Sequence, residues 1–285
     1  MSIPIAAENI FSIGSFSVTN AYLNSTILTL GFCVFAIFMR FTVTKIPGKL
    51  QNAFEALLEF LFRYFDQVTG DRAKSKRFLP IVGTLFLFIL LSNWMGLLPG
   101  TGTIGVWQMI HGERELVPLL RPAASDLNLT LALAVLSVAA SHLLGMFTLG
   151  FFVHWNKFIQ LGTIWNAVRS LKPVAILTAA IEFVVGLIEL FSEAAKMVSL
   201  SLRLFGNIFA GEVLITVLSS LVAFIVPLPF MALELIVGVV QATVFSMLTL
   251  VYLSLMTTAP HGAQKEHQKS EMGLPDARQG APIHS

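Results

Sequence analysis

Six ionisable side chains lie in one apolar stretch between Pro173 and Pro227: Glu182, Glu189, Glu193, Lys196, Arg203 and Glu212. In hydrocarbon such groups need a partner or water, since an arginine at the centre of a membrane helix costs about 2.5–3.5 kcal/mol on insertion scales. At about 100° per residue, Glu189, Lys196, Ser199 and Asn207 fall within about 40° of Arg203, and Glu182 and Glu193 flank that stripe at about 60–80°. One side of the helix is therefore a polar track several turns long. Glu212 points about 180° away and serves a different surface. Glu193 and Lys196, three residues apart, can pair with each other. Arg203 has no acid at i±3 or i±4, so its counter-charge must come from another helix or another protein. An arginine stays protonated under all ordinary conditions and cannot itself relay a proton.

A second track follows Pro229, where Glu234, Gln241 and Tyr252 at spacings of 7 and 11 share roughly one helix face. A third polar group, Asn93, Asp126, Asn128 and Thr130, lies at the outer ends of two further apolar runs; Asp126 or Ser125 could equally cap the helix that follows. His142 and His154 have no metal-ligand spacing to each other or to the carboxylates, and His142 reads as an interhelical histidine. There is no glycine-rich phosphate loop and no Ser/His/Asp arrangement, so no nucleotide, cofactor or metal is expected. The formal net charge of +2 is too small to point to a nucleic-acid partner, and none is expected.

The elements that position these groups follow from composition. Of 285 residues, 55% are hydrophobic and 12% charged, against about 25% charged in soluble domains. So few charges leave the bilayer as the natural solvent. Crossing it takes about 20 apolar residues. Leu23–Met39, Phe78–Pro99 and Leu127–Val153 are three such runs. The two stretches that follow are too long: Val174–Leu218 would make a helix of about 68 Å and Phe230–Thr257 one of about 42 Å, against a hydrocarbon core of about 30 Å. Steep tilt resolves the mismatch. Residues 47–70 differ in kind, with Leu50, Phe54, Leu57, Leu58, Leu61, Phe62 and Phe65 on one side and Lys49, Gln51, Asn52, Glu55, Glu59, Arg63 and Asp66 on the other. Such an amphipathic helix lies at the membrane interface or packs on a neighbouring subunit.

Basic residues set the orientation. The first 22 residues carry no Lys or Arg, whereas Arg40 to Arg77 holds Arg40, Lys45, Lys49, Arg63, Arg72, Lys74, Lys76 and Arg77. The alternation continues with Lys157, Arg169 and Lys172 and with Lys265, Lys269 and Arg278 of the tail. It predicts five membrane helices with the N-terminus outside and the C-terminus inside. Without a basic region in the first 22 residues, insertion is expected to depend on the first membrane helix. The expected organisation is a single all-α membrane domain over 1–285: an outer segment 1–22, the interfacial helix 47–70, a long helical hairpin 173–258, and a disordered polar tail 259–285. The lone Cys33 lies in an apolar run and forms no intrachain disulfide.

Ser199-Leu200-Ser201-Leu202-Arg203-Leu204-Phe205-Gly206-Asn207, continuing to Gly211-Glu212, resembles the signature of the a subunit of rotary F-type ATP synthases. Gln51-Asn52 with Glu55, Gly83-Thr84-Leu85-Phe86 through Asn93 to Gly96-Leu97-Leu98-Pro99, Asp126-Leu127-Asn128-Leu129-Thr130, and Gln241-Ala242 with Leu248-Thr249 through Tyr252-Leu253 match the same family in order. The resemblance covers about residues 45–258.

In that family the long fourth and fifth helices lie tilted against a ring of c subunits, and two aqueous half-channels reach the ring from opposite sides, separated by the motif's arginine. Carried over by motif, that arginine is Arg203. Asn207, Glu212, Glu234 and Gln241 take channel-side positions, Glu189 lies toward the other half-channel, and Asn93, Asp126 and Asn128 resemble the outer entrance. The implied partners are the c-ring, the b-subunit peripheral stalk, the remaining F1F0 subunits and membrane lipid. The implied activity is proton translocation coupled to ATP synthesis elsewhere in the complex, in an energy-coupling membrane; Gly206 favours the bacterial plasma (inner) membrane over the mitochondrial one. Family members often pair an acid with a histidine at the positions of Glu212 and Glu234. Here both are Glu, two nearby carboxylates would share a proton, and the carrier is left open between them. A secondary transporter with midplane charges is the alternative, but such folds show internal repeats and discontinuous helices, and neither is visible here. A purely structural anchor would not carry an unpaired Arg203.

Overall fold

The computed structural model describes residues 9–14, 16–98, 104–110, 113–119, 121–151, 154–155, 173–222 and 225–258. The chain opens with an antiparallel hairpin of β1 (Asn9–Ile13) and β2 (Phe16–Thr19), turning at Gly14, whose φ of 64° suits a residue without Cβ. Helix α1 (Asn20–Thr42) follows directly, its first turn capped by the Thr19 hydroxyl, which accepts from the Tyr22 N–H. Helix α2 (Lys49–Thr69) and α3 (Arg72–Met95) come next, then a second hairpin of β3 (Gly105–Ile110) and β4 (Glu113–Pro118). A 3-10 turn at Ala123–Ser125 leads into α4 (Leu127–Leu149), and the long pair α5 (Pro173–Leu221) and α6 (Pro227–Thr257) completes the described chain.

Five of these helices are long and apolar enough to cross a membrane: α1, α3, α4, α5 and α6. The membrane part is all-α, as hydropathy predicts, because a bilayer lets a single segment satisfy its own backbone only as a helix. The two hairpins are additions that hydropathy could not reveal. Much of the apolar surface is bare: Phe41, Phe147, Val174 and Phe191 are all more than 70% exposed. Lipid, not water, accommodates such a surface. At 49 and 31 residues, α5 and α6 are about 74 and 46 Å long, longer still than the sequence predicts.

The amphipathic helix α2 is set by its ends. Gly48 is its N-cap, which leaves Pro47 just outside the helix and not in its first turn. Gln51 straps the link from α1, accepting from the Thr44 N–H and donating to the Thr44 carbonyl, both at 3.1 Å, and also bonding Glu55 at 2.8 Å. Gly70, with φ of 66°, ends the helix, and the Asp71 carboxylate caps α3 by accepting from the Ala73 N–H. The Arg72 guanidinium then closes the corner on Asp66 at 2.7 Å and Glu59 at 2.9 Å, lying 3.9 Å over the Phe62 ring. Leu61 and Phe65 are buried.

Contacts group the chain into two units, Met1–Ala139 with Ala194–Tyr252, and Ala140–Glu193 with Leu253–Ser285. Within the first, Phe78, Val82, Ile89, Leu200, Leu204 and Leu250 are fully buried. The tail expected to be disordered and the basic residues Lys157, Arg169 and Lys172 lie outside the described residues.

Candidate functional site

Three side-chain groups of the first unit carry the chemistry. On α5, Leu200, Leu204, Ile208 and Gly211 face inward while Ser199, Arg203, Gly206, Asn207 and Ala210 lie on the exposed side. The helical period thus separates a packing stripe from a bare one, and Arg203 with Asn207 stands on the bare one. Among the described residues Arg203 makes no ion pair. Ser199, Gly206 and Ala210 are small, so a helix of another molecule could approach the guanidinium closely. On the packed side, Ser201 meets Thr130 of α4 at 3.2 Å.

One turn along the other side, Glu212 is one-fifth exposed and paired with Arg121, whose Nε lies 2.8 and 3.1 Å from the two carboxylate oxygens. Arg121 is 4% exposed. It precedes the 3-10 turn, and that segment is held on both flanks. Asn24 of α1 donates its side-chain amide to the Arg121 carbonyl at 2.7 Å, and the Pro122 ring packs on Gly96 so closely that a Cβ there would overlap it. Removing one partner of a buried pair leaves an uncompensated charge, at about 3–5 kcal/mol. Arg121 lies in the loop before α4, far in sequence from Glu212. Its pairing, across 91 residues, left no local signal.

The third group faces α6. Glu234 is 7% exposed, and its carboxylate lies directly against Gly211 of α5, where any Cβ would collide with it. Its Oε1 has no hydrogen-bond partner among the described residues. One turn on, Gly238 meets Asn93 Cβ and Trp94 Cδ1 of α3, each at 3.3 Å from where its own Cβ would be. The Trp94 indole donates to the Leu235 carbonyl at 3.1 Å. Asn93 is 2% exposed, and neither its amide nitrogen nor its oxygen finds a partner among the described residues; the same holds for Ser92 and Ser246 hydroxyls. Buried polar atoms are almost always satisfied, by protein or by ordered water. Asn93 and Glu234 stand at neighbouring turns of α6, each with a buried polar atom that has no partner among the described residues. Gln241 is half-buried further along α6, and Lys196 sits 5.0 Å above the Tyr252 ring.

Asp126 is buried and acts as a helix cap, accepting from the Asn128 N–H at 3.0 Å; the Asn128 side chain is exposed. In the second unit, His142 lies between two groups, with Nδ1 3.1 Å from His154 Nε2 and Nε2 3.6 Å from Glu193. His142 is thus an interhelical histidine with Glu193 as its carboxylate neighbour. Glu189 is partly exposed on the same helix, and one oxygen of Glu182 is buried without a partner among the described residues. No group of three metal-ligating side chains occurs among the described residues.

Residues 22–254 match the family described as ATP synthase A chain. Curated relatives named ATP synthase subunit a include that of Mycobacterium ulcerans, 34% identical over 83% of this chain and 86% of the relative. That of Acidothermus cellulolyticus is 32% identical over 86% of this chain and 79% of the relative, and that of Moorella thermoacetica 29% over 86% and 94%. The match spans all five membrane helices, and with them the bare Arg203 stripe, the Arg121–Glu212 pair and the Glu234 pocket. This multi-pass membrane protein belongs to the ATP synthase A chain family.

Proposed function

We propose that the chain is subunit a of the F0 sector of a bacterial ATP synthase, carrying protons through two aqueous half-channels to and from the carboxylates of a c-ring. The observation that supports this most is Arg203: a permanent cation on a membrane helix, exposed on a stripe of small residues, with no ion pair among the described residues. A ring carboxylate supplies the missing counter-charge. It must be neutral to face lipid, because an ion there is prohibitively costly, and a nearby fixed cation favours its ionised form. Meeting Arg203 therefore makes the carboxylate release its proton on one side and lets it take another on the other side. Being unable to relay a proton, Arg203 also blocks a direct path between half-channels. Each charge moved is driven by about 2.3 kcal/mol per 100 mV.

In this reading Asn93, Asp126, Asn128, Asn207, Glu212, Glu234 and Gln241 line the outer half-channel, and Glu189 lies toward the inner one. The amide of Asn93 and the carboxylate oxygen of Glu234, both without a partner among the described residues, favour a water-filled path there. Helices α5 and α6, too long to stand upright in a core of about 30 Å, lie tilted against the ring. The b-subunit stalk and the F1 subunits complete the complex, in the plasma (inner) membrane, and ATP chemistry belongs to those other subunits. The test is affinity purification of the tagged chain in mild detergent: a small two-helix proteolipid ring must copurify. Isolation of the chain without one would favour a self-contained transporter.

A further inference from the structure

We propose that Arg121 is a positioning residue that occupies Glu212 as a standing ion pair, so that Glu234 alone offers a carboxylate oxygen to the proton passing through the outer half-channel. This deepens the function proposed above and rests on it. The sequence presents two acids as equivalent candidates. The geometry separates them. Both oxygens of Glu212 lie within 3.1 Å of Arg121 Nε, and the guanidinium is almost fully enclosed, so its pairing is not screened by bulk water. Asn24 and the Pro122–Gly96 contact hold the Arg121 backbone in place, which makes the pair a fixture of the fold. Glu234 has the opposite surroundings. Its carboxylate lies against Gly211 of α5, and one turn away Asn93 and Trp94 of α3 meet Gly238; among the described residues Glu234 makes no ion pair and its Oε1 has no hydrogen-bond partner.

A proton reaching this pocket through water attaches to Glu234 Oε1 and leaves from the same atom to a ring carboxylate. Glu234 returns to its starting form and no other reactant is consumed. Arg121 and Glu212 do not take part in the transfer; their charges cancel beside the path and keep it open to a cation.

The test uses the assembled ATP synthase in proteoliposomes, measuring passive and ATP-driven proton flux, with assembly checked by native gel. Arg121→Gln and Glu212→Gln each leave one charge without its partner, and each is expected to lower flux at least tenfold. The double variant Arg121→Gln/Glu212→Gln removes both charges and is expected to recover several-fold above either single. Arg121→Lys, which keeps the charge, is expected to retain more flux than Arg121→Gln. Glu234→Gln is expected to lose at least tenfold in the wild-type and double-variant backgrounds alike. A double variant no better than the worse single, or Glu234→Gln within twofold of wild type, overturns the proposal. Should Arg121→Gln fail to assemble, Glu234→Asp must cost more flux than Glu212→Asp, whose partner can follow the shortened side chain; the reverse order overturns it. Arg203→Ala run in parallel separates the two claims. If it keeps its ATP-driven flux the functional reading fails, whereas if it alone behaves as expected only the division between the two acids fails.

Discussion

The carboxylate of Glu234 on α6 rests against Gly211 on α5, in the space that a Cβ at position 211 would fill. Glycine at this point is a matter of room and not of backbone conformation, since position 211 lies within a regular helix. The contact sets the distance between the two helices at the level of the buried acid, one of whose carboxylate oxygens has no hydrogen-bond partner among the described residues.

Gly211→Ala should therefore displace the Glu234 side chain or spread α5 from α6. Overpacking of this kind costs about 1–3 kcal/mol. The expected outcome is a complex that assembles with a lowered melting temperature and severalfold slower proton flux. Adding Glu234→Ala to Gly211→Ala should relieve the thermal defect without restoring flux. An alanine at 211 with unchanged melting and flux would show that the contact is not confining.

Arg203→Ala should abolish ATP synthesis driven by the ion gradient while the complex still assembles, because Arg203 makes no ion pair among the described residues for the substitution to break. Arg203→Lys should be badly impaired as well, since lysine loses the planar fork and its proton is more easily lost in apolar surroundings. Gradient-driven synthesis in vesicles, beside a native gel, decides the matter. Near wild-type synthesis by an assembled Arg203→Ala complex would sink the mechanism.

The α2–α3 corner should depend on pH. Hydrogen bonding from Ser75 holds the Asp66 carboxyl below its ordinary value of 3.8, partial burial opposes this, and the bond and charge of Arg72 add to the lowering. A carboxyl whose folded value is depressed contributes stability that is fully present above its unfolded value, and loses it as pH falls through the folded one. Amide exchange at residues 66–75 should accelerate relative to the rest of the chain below about pH 4. In Asp66→Asn that extra acid sensitivity should disappear. An unchanged acid profile in the variant would assign the effect to another group.

Sidedness can be read by labelling. In a background where Cys33 is replaced by serine, cysteines introduced at exposed Ser17 and Lys74 should react from opposite faces, Ser17 from outside and Lys74 from inside. The eight basic residues between Arg40 and Arg77 motivate the assignment. Reaction of the Lys74 position from the outer face alone would invert the topology.

Hydropathy and helical spacing determined the number of membrane helices, the amphipathic α2, the excess length of α5 and α6, and the stripe carrying Arg203, because each depends on residues within a few turns of one another. The absence of an acid near Arg203 was equally local. The boundaries shifted by a few residues where caps intervene, as at Thr19, Gly48 and Asp71. The hairpins β1–β2 and β3–β4 were not legible, since their short strands carry no signal on a scale built for spans. The pairing of Arg121 with Glu212, the contact of Glu234 with Gly211 and the meeting of His142 with Glu193 were decided by tertiary structure alone. Each joins residues far apart in sequence through the registry of two packed helices or of a helix and a loop. That registry depends on small residues such as Gly96, Gly211 and Gly238, whose lack of a side chain reveals nothing about what lies opposite until the chains are brought together. Sequence showed that two glutamates stood near one arginine's helix; packing decided which glutamate was given a cation of its own.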